Sequence, residues 1–206
     1  VKISKTHILS AKALIHLAAL LTFLYLWLLV EQNALGADPV KEMTHFLGKT
    51  ALNYLLITLC ISPLARRFKQ PLLIQLRRVL GLYCFFWACL HLLVFIWLDL
   101  NWQVMLFAEE VVKRPYMTLG ALTWVILLAL SITSINVIRR RMKRAWLTLH
   151  RAVYWAVLLA TIHYYWSVKS GLIEPVIYFV ICFTLLAQRK DYFKSFLRRC
   201  TKKKLV

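Results

Sequence analysis

Long apolar runs constrain a chain more severely than any motif, because they decide which solvent it folds in. Such runs stand near 8–30, 46–64, 79–98, 117–138, 147–168 and 172–188, close to the roughly 17–25 residues that cross the hydrocarbon of a bilayer. In lipid every backbone N–H and C=O must be satisfied within its own segment, and none of the runs alternates as a barrel strand does, so each reads as a helix. The expected fold is an all-α integral membrane protein: one domain over residues 1–206, built as a six-transmembrane-helix bundle. The first run is long and lacks a small-residue cleavage signature, which reads as a retained helix and not as a secretory signal.

The formal net charge is +19, and its distribution orients the bundle. Lys2, Lys5 and Lys12 precede or open the first run. Arg66, Arg67, Lys69, Arg77 and Arg78 fill the second connection, and Arg139, Arg140, Arg141, Lys143 and Arg144 the fourth. With Arg151 and the tail from Arg189 to Lys204, one side holds 22 of the 27 Lys and Arg, and Asp191 is its only acid. By the positive-inside rule both termini are cytoplasmic. Nucleic acid is excluded as a partner, because the apolar spans leave no soluble basic domain. The basic tail is explained by contact with anionic membrane lipid, or with a flavoprotein donor.

Few cofactor motifs are available. Glycine totals five, and there is no G-x-G-x-x-G or P-loop. Cysteines 60, 84, 89, 182 and 200 lie mostly in apolar runs or in the tail, which argues against a structural disulfide, and CFFWACLH lacks the spacing of covalent c-type haem attachment. Two outer loops have distinct texture, GADPVKEM (36–43) and LDLNWQVMLFAEEVVKRPY (98–116). The second reads either as a plain connector or as a short amphipathic helix at the interface, ended by Pro115. No internal repeat is legible beyond the Leu-flanked histidines of the first and third runs.

The histidines carry the chemistry, because a histidine deep in a span is costly unless it has a function or a partner. His91 lies ~10 Å and His163 ~8 Å from the outer ends of the third and fifth runs, nearly one level. Two neutral imidazoles at one depth on different helices are what a bis-histidine haem requires, since its axial ligands approach from opposite faces of one macrocycle. Phe85, Phe86, Trp87 and Phe95 around His91, and Tyr164, Tyr165 and Trp166 after His163, could pack such a ring. The competing reading is a pair of satisfied interhelical histidines.

Toward the basic side, Arg77 lies fourteen residues before His91 and His150 thirteen before His163. Fourteen residues return to within ~40° of the same helix face, whereas thirteen leave ~140°, so either the fifth helix deviates or its two histidines serve different sites. His150 is a candidate ligand of a second haem, or a lipid-phosphate contact. Arg77 cannot ligate iron, because guanidinium has no free lone pair, but it suits a haem propionate or flavin phosphate. Arg78 and Arg151 are weaker candidates for the same contacts. His16, ~12 Å into the first run, could meet a quinone headgroup, complete the His150 site or bond a carbonyl. His45 reads as interfacial and solvated, and His7 as uninformative.

Histidines spaced 13 or 14 apart on the third and fifth of six helices resemble the ferric-reductase-like transmembrane domain of NADPH oxidases and metalloreductases, with Arg77 where an inner histidine is expected. LGADPVK (35–41), HFLGKTAL (45–52), SPLARRFKQPLLIQLRRVLGL (62–82), RPYMTLG (114–120) and IHYYWSVK (162–169) further resemble the haem-binding membrane subunits of bacterial periplasmic methionine sulfoxide reductase systems. The resemblance implies a multi-pass cytochrome b of the inner membrane, with haem b, one or two, and FMN as a further cofactor. It also implies that electrons pass from quinol, or from a cytosolic flavin reductase, to a periplasmic molybdopterin-containing methionine sulfoxide reductase. The stretch beyond the sixth run is too short for the FAD and NADPH domain of the oxidases, so the donor is expected to be a separate molecule. Alternatives are a stand-alone membrane ferric or quinone reductase, a histidine-based proton relay or transporter, and a simple anchor.

Overall fold

The computed structural model describes residues 3–168 and 171–189. Among them the chain is helical and has no strand: α1 (Lys5–Glu31), α2 (Pro39–Arg67), α3 (Leu76–Val94), α4 (Val104–Lys113), α5 (Pro115–Ile132), α6 (Asn136–Met142), α7 (Arg144–His150), α8 (Val153–Ser167) and α9 (Ile173–Ala187). A 3-10 turn, Pro71–Gln75, leads into α3, and a π-helical turn, Phe95–Asp99, continues it. Five helical stretches are long and apolar enough to cross a membrane, and α9 is apolar but shorter. Lys2, Lys169, and the tail from residue 190 with Asp191 and Cys200 lie outside the described residues, and so does the electrostatic role expected of that tail.

Two antiparallel hairpins, α2 with α3 and α5 with α8, form the most extensive interfaces and pack against one another through α3–α5 and α2–α8. Helix α1 lies against α3 and α9 against α8 and α2. Helix α2 is the central element, buried from Leu47 to Ala65 along one broad face. Its entry is well specified. Asp38 accepts the Lys41 backbone N–H, and Pro39 occupies the first turn, where a missing N–H costs nothing. Replacing Asp38 by alanine is expected to cost about 1 kcal/mol in a detergent-denaturation experiment.

Helix α1 behaves differently. Ser4 and His7 form a reciprocal capping box at its start, yet only Ile8, Ala19 and Leu26 are buried along its length. Leu14, Leu17, Leu20, Leu21 and Trp27 face outward, which is stable for a helix whose solvent is hydrocarbon. The buried hydroxyls follow the same rule. Thr50, Thr58, Thr123 and Thr161 each donate to the carbonyl four residues earlier, so that these four hydroxyls are paired in an apolar environment.

Helix boundaries depart from the hydropathy pattern at two places. The run expected over 117–138 ends as a helix at Ile132, where Thr133 and Ser134 turn their hydroxyls back onto Ala129 and Leu130 and the basic segment α6 starts separately. The run expected over 147–168 is interrupted after His150: Arg151, Ala152 and Tyr154 bond the carbonyls three residues before them in place of four. The outer connection 98–116 does contain a helix, α4, and Pro115 opens α5 rather than only ending α4. Arg114 before it is extended, as a residue preceding proline prefers.

Candidate functional site

The hairpin packing brings His91 of α3 and His163 of α8 together edge to face, with ring centroids 6.2 Å apart and planes inclined by 81°. The His91 Nδ1 lies 2.9 Å from the Thr44 carbonyl oxygen, and the His163 Nδ1 lies 2.7 Å from that of Tyr116. A carbonyl oxygen only accepts, so each ring must donate there, and its tautomer is set as Nδ1–H with the lone pair on Nε2. Metal-bound histidines are oriented in this way in general, by donating the other ring N–H to a backbone carbonyl or carboxylate.

The spacing can be tested against an iron placed between the rings. A metal–nitrogen bond of about 2.0 Å plus about 1.2 Å from nitrogen to ring centre, taken twice, gives roughly 6.4 Å between centroids. The observed 6.2 Å fits. Among the described residues no group of three His, Cys, Asp or Glu side chains is arranged to hold a bare ion, so the other ligands would have to come with the metal. The residues present therefore fit a bis-histidine macrocycle.

Both rings rest on glycine. A Cβ built on Gly48 of α2 would stand 3.1 Å from the His91 Nδ1, and one on Gly120 of α5 would stand 2.8 Å from the His163 Cε1 and 2.9 Å from its Nδ1. The two sets are related by one register shift: Thr44 to Tyr116, Gly48 to Gly120, His91 to His163. Each carbonyl-to-histidine bond spans 47 residues. The same carbonyl, glycine and histidine arrangement thus recurs on both sides of this site, which hydropathy and the Leu-flanked histidines did not reveal. The signal available in sequence was a Leu-Gly pair at an equal distance before each deep histidine, in a chain with only five glycines.

The expected aromatic lining is largely engaged elsewhere. Phe85 packs on Trp124, Phe95 on Phe107, Tyr164 on Tyr178 and Tyr165 on Phe179. Phe86 and Trp166 face outward. The aromatic beside the pair is Tyr116, whose ring lies 6.0 Å from that of His163.

His150 belongs to the other end of α5. Its Nε2 is 3.1 Å from the Thr133 hydroxyl, which lies 2.6 Å from the Ala129 carbonyl and donates there. His150 is accordingly the donor in this contact, and its lone pair sits on Nδ1, the reverse of His91 and His163. Trp146 stacks on its ring at 4.0 Å, bonds the Thr133 carbonyl through Nε1, and carries the Arg139 guanidinium on its own ring. The tightened turn after His150 has a geometric consequence. Three steps at about 120° in place of about 100° cut the angle between positions 150 and 163 from roughly 140° to roughly 80°. Both histidines then reach α5, one at Tyr116 and one at Thr133.

Arg77 lies within electrostatic range of His150, Tyr154 and Arg189, and its Nε is buried with no hydrogen-bond partner. An orphaned guanidinium of this kind fits an anionic group such as a propionate or phosphate. Arg78 donates instead to the Asn136 side chain at the start of α6, and Arg151 sits in the turn between α7 and α8. His16 is paired with the Tyr83 hydroxyl at 2.6 Å, away from His150. His45 is half-buried rather than solvated, within electrostatic range of both His91 and His163.

Comparison with known proteins gives the family of the chain. The family described as "Ferric reductase like transmembrane component" matches residues 47–161, a segment that contains Gly48, His91, Gly120 and His150 and ends just before His163. The chain is 47% identical over 188 residues to the protein-methionine-sulfoxide reductase heme-binding subunit MsrQ of Salmonella paratyphi B (strain ATCC BAA-1250 / SPB7). It matches equally the proteins of that name from Salmonella newport (strain SL254) and Salmonella heidelberg (strain SL476), in each case over 91% of this chain and 94% of the relative. The chain therefore belongs to the ferric-reductase-like transmembrane family and, within it, to the MsrQ group.

Proposed function

We propose that this protein is the electron-carrying membrane subunit of a bacterial periplasmic methionine sulfoxide reductase system, with a b-type haem held between His91 and His163. The observation that carries this reading is the pair itself: two rings at the spacing of axial ligands, each with Nδ1 engaged by a backbone carbonyl and Nε2 left open. The names of its relatives support the haem and the reductase partner. Residues 1–206 act as one domain in the inner membrane, with α9 completing the sixth crossing and both termini cytoplasmic, as the basic loops favour.

Haem, when bound, supplies a one-electron couple. The protein's part is to hold it at a fixed depth, keep both imidazoles in one tautomer, and surround them with helices that exclude water. Arg77, with its unpaired Nε, balances an anionic substituent near His150, where a second haem or an FMN phosphate would bind. Electrons enter from quinol or from a cytosolic flavin reductase on the basic side. They leave toward a molybdopterin-containing methionine sulfoxide reductase on the opposite side, where α4 and the loop around Gly36 form the exposed connections.

Pyridine haemochrome assay and a reduced-minus-oxidised spectrum of the haem-replete, purified protein test this. A low-spin b-type signal at one or two haems per chain is expected, and its absence would sink the reading. Dithionite-reduced protein should also be reoxidised by the partner reductase plus methionine sulfoxide. Reoxidation by ferric chelates alone would favour a stand-alone ferric reductase instead.

A further inference from the structure

We infer that Gly48 and Gly120, with the Thr44 and Tyr116 carbonyls, form a duplicated backbone cradle that positions the two imidazoles and thereby tunes the metal they hold. The inference rests on the haem reading above and adds residues that act on the metal through the two histidines. In a helix, the carbonyl of residue i normally bonds the N–H of residue i+4. Thr44 with Gly48 and Tyr116 with Gly120 are such pairs, and the histidine takes the second lone pair of the same carbonyl. A side chain on residue i+4 would crowd the ring out of that seat: a Cβ on Gly120 would force His163 to shift, and one on Gly48 would push His91 back by a few tenths of an ångström.

Helix propensity alone argues against these glycines, since alanine is the better helix former at both positions. Their use is explained by the seat they leave open. The cradle has two physical effects. It holds Nδ1–H as a donor to a strong acceptor, which makes Nε2 a more basic ligand and favours the oxidised metal. It also fixes ring rotation, and so maintains the steep angle between the two planes. The halves are unequal. Gly120 is the tighter, with atoms of His163 inside 3.0 Å of the added Cβ, whereas on Gly48 the nearest His91 atom is at 3.1 Å.

Gly81 supplies the internal control. It lies within α3, on the same helix as His91, and an added Cβ there meets nothing within 4 Å. The experiment compares haem-replete wild type with Gly120→Ala, Gly48→Ala and Gly81→Ala by ferric electron paramagnetic resonance and potentiometric titration. The expected order is a large change in g-anisotropy and a raised reduction potential for Gly120→Ala, a smaller change in the same direction for Gly48→Ala, and wild-type values for Gly81→Ala. Haem-loaded Gly120→Ala and Gly48→Ala proteins that match Gly81→Ala in both readouts would overturn the cradle while leaving the haem reading intact. Should Gly120→Ala retain no haem, Gly48→Ala decides alone: a shifted spectrum supports the cradle, and an unshifted one overturns it. A wild type without haem overturns the haem reading and the cradle with it.

Discussion

Alanine at position 163 is expected to abolish the low-spin b-type spectrum of the haem between α3 and α8, and alanine at position 91 to do the same. Loss of a group that only orients a metal-bound histidine typically weakens binding about 10–100-fold, and loss of the ligand itself should exceed that. The two substitutions should be equivalent, because the rings stand in the same relation to a carbonyl and a glycine. His150→Ala should leave this signal in place, since that ring bonds Thr133 at the far end of α5 with the opposite tautomer. If His150 holds a second haem, the haemochrome count of His150→Ala should fall while the spectrum of the His91–His163 centre remains. A bis-histidine signal that survives in His163→Ala would show that the facing rings are a packing contact and no more.

The largest effect on stability is expected at Trp87. Its side chain is wholly buried within α3, one turn before His91, whereas its neighbour Phe86 is 46% exposed. In lipid the loss from truncation is mainly one of packing, and a cavity left by a large aromatic side chain costs about 3–5 kcal/mol. Trp87→Ala should therefore unfold far earlier than wild type in a mixed-micelle denaturation series, and Phe86→Ala close to it. Trp87→Phe offers a finer test. Phenylalanine keeps an aromatic ring in the core and deletes Nε1, which makes no well-formed hydrogen bond and has the Tyr54 hydroxyl as its polar neighbour, so Trp87→Phe should recover part of the packing loss. A Trp87→Phe protein as unstable as Trp87→Ala would mean that the polar contact of Nε1 with Tyr54, and not the packing of the ring, carries the stability.

The helical class and the two deep histidines were legible because each follows from a local rule. Apolar length dictates helix in lipid, and a histidine at depth demands a reason. Arg77 was legible through its spacing, since fourteen residues before His91 put a cation near the same face of the helix toward the basic side. The aromatic residues near His91 and His163 were misleading, because sequence proximity says nothing about which side of a helix a ring leaves from. Phe85 and Tyr165 are close in number to the site and packed against other partners. The end of α5 and the break after His150 were hidden as well. Each falls at a short polar stretch, Thr133-Ser134 or His150-Arg151, that a window of span length averages over, whereas the boundaries are decided by hydroxyls that turn back on the helix and by carbonyls bonded at shorter intervals.

Sequence by itself determined the solvent, the helical class, the sidedness of the charge and the identity of the facing histidines. These depend on composition along one dimension, which a chain carries whether or not it has folded. Only the tertiary structure decided that His91 and His163 meet at 6.2 Å, that each is seated on a glycine beneath a helix carbonyl, and that His150 lies 3.1 Å from the Thr133 hydroxyl. Those facts depend on how two hairpins pack, and so on the space between residues 47 positions apart in the chain, where a missing Cβ matters and no local pattern records it.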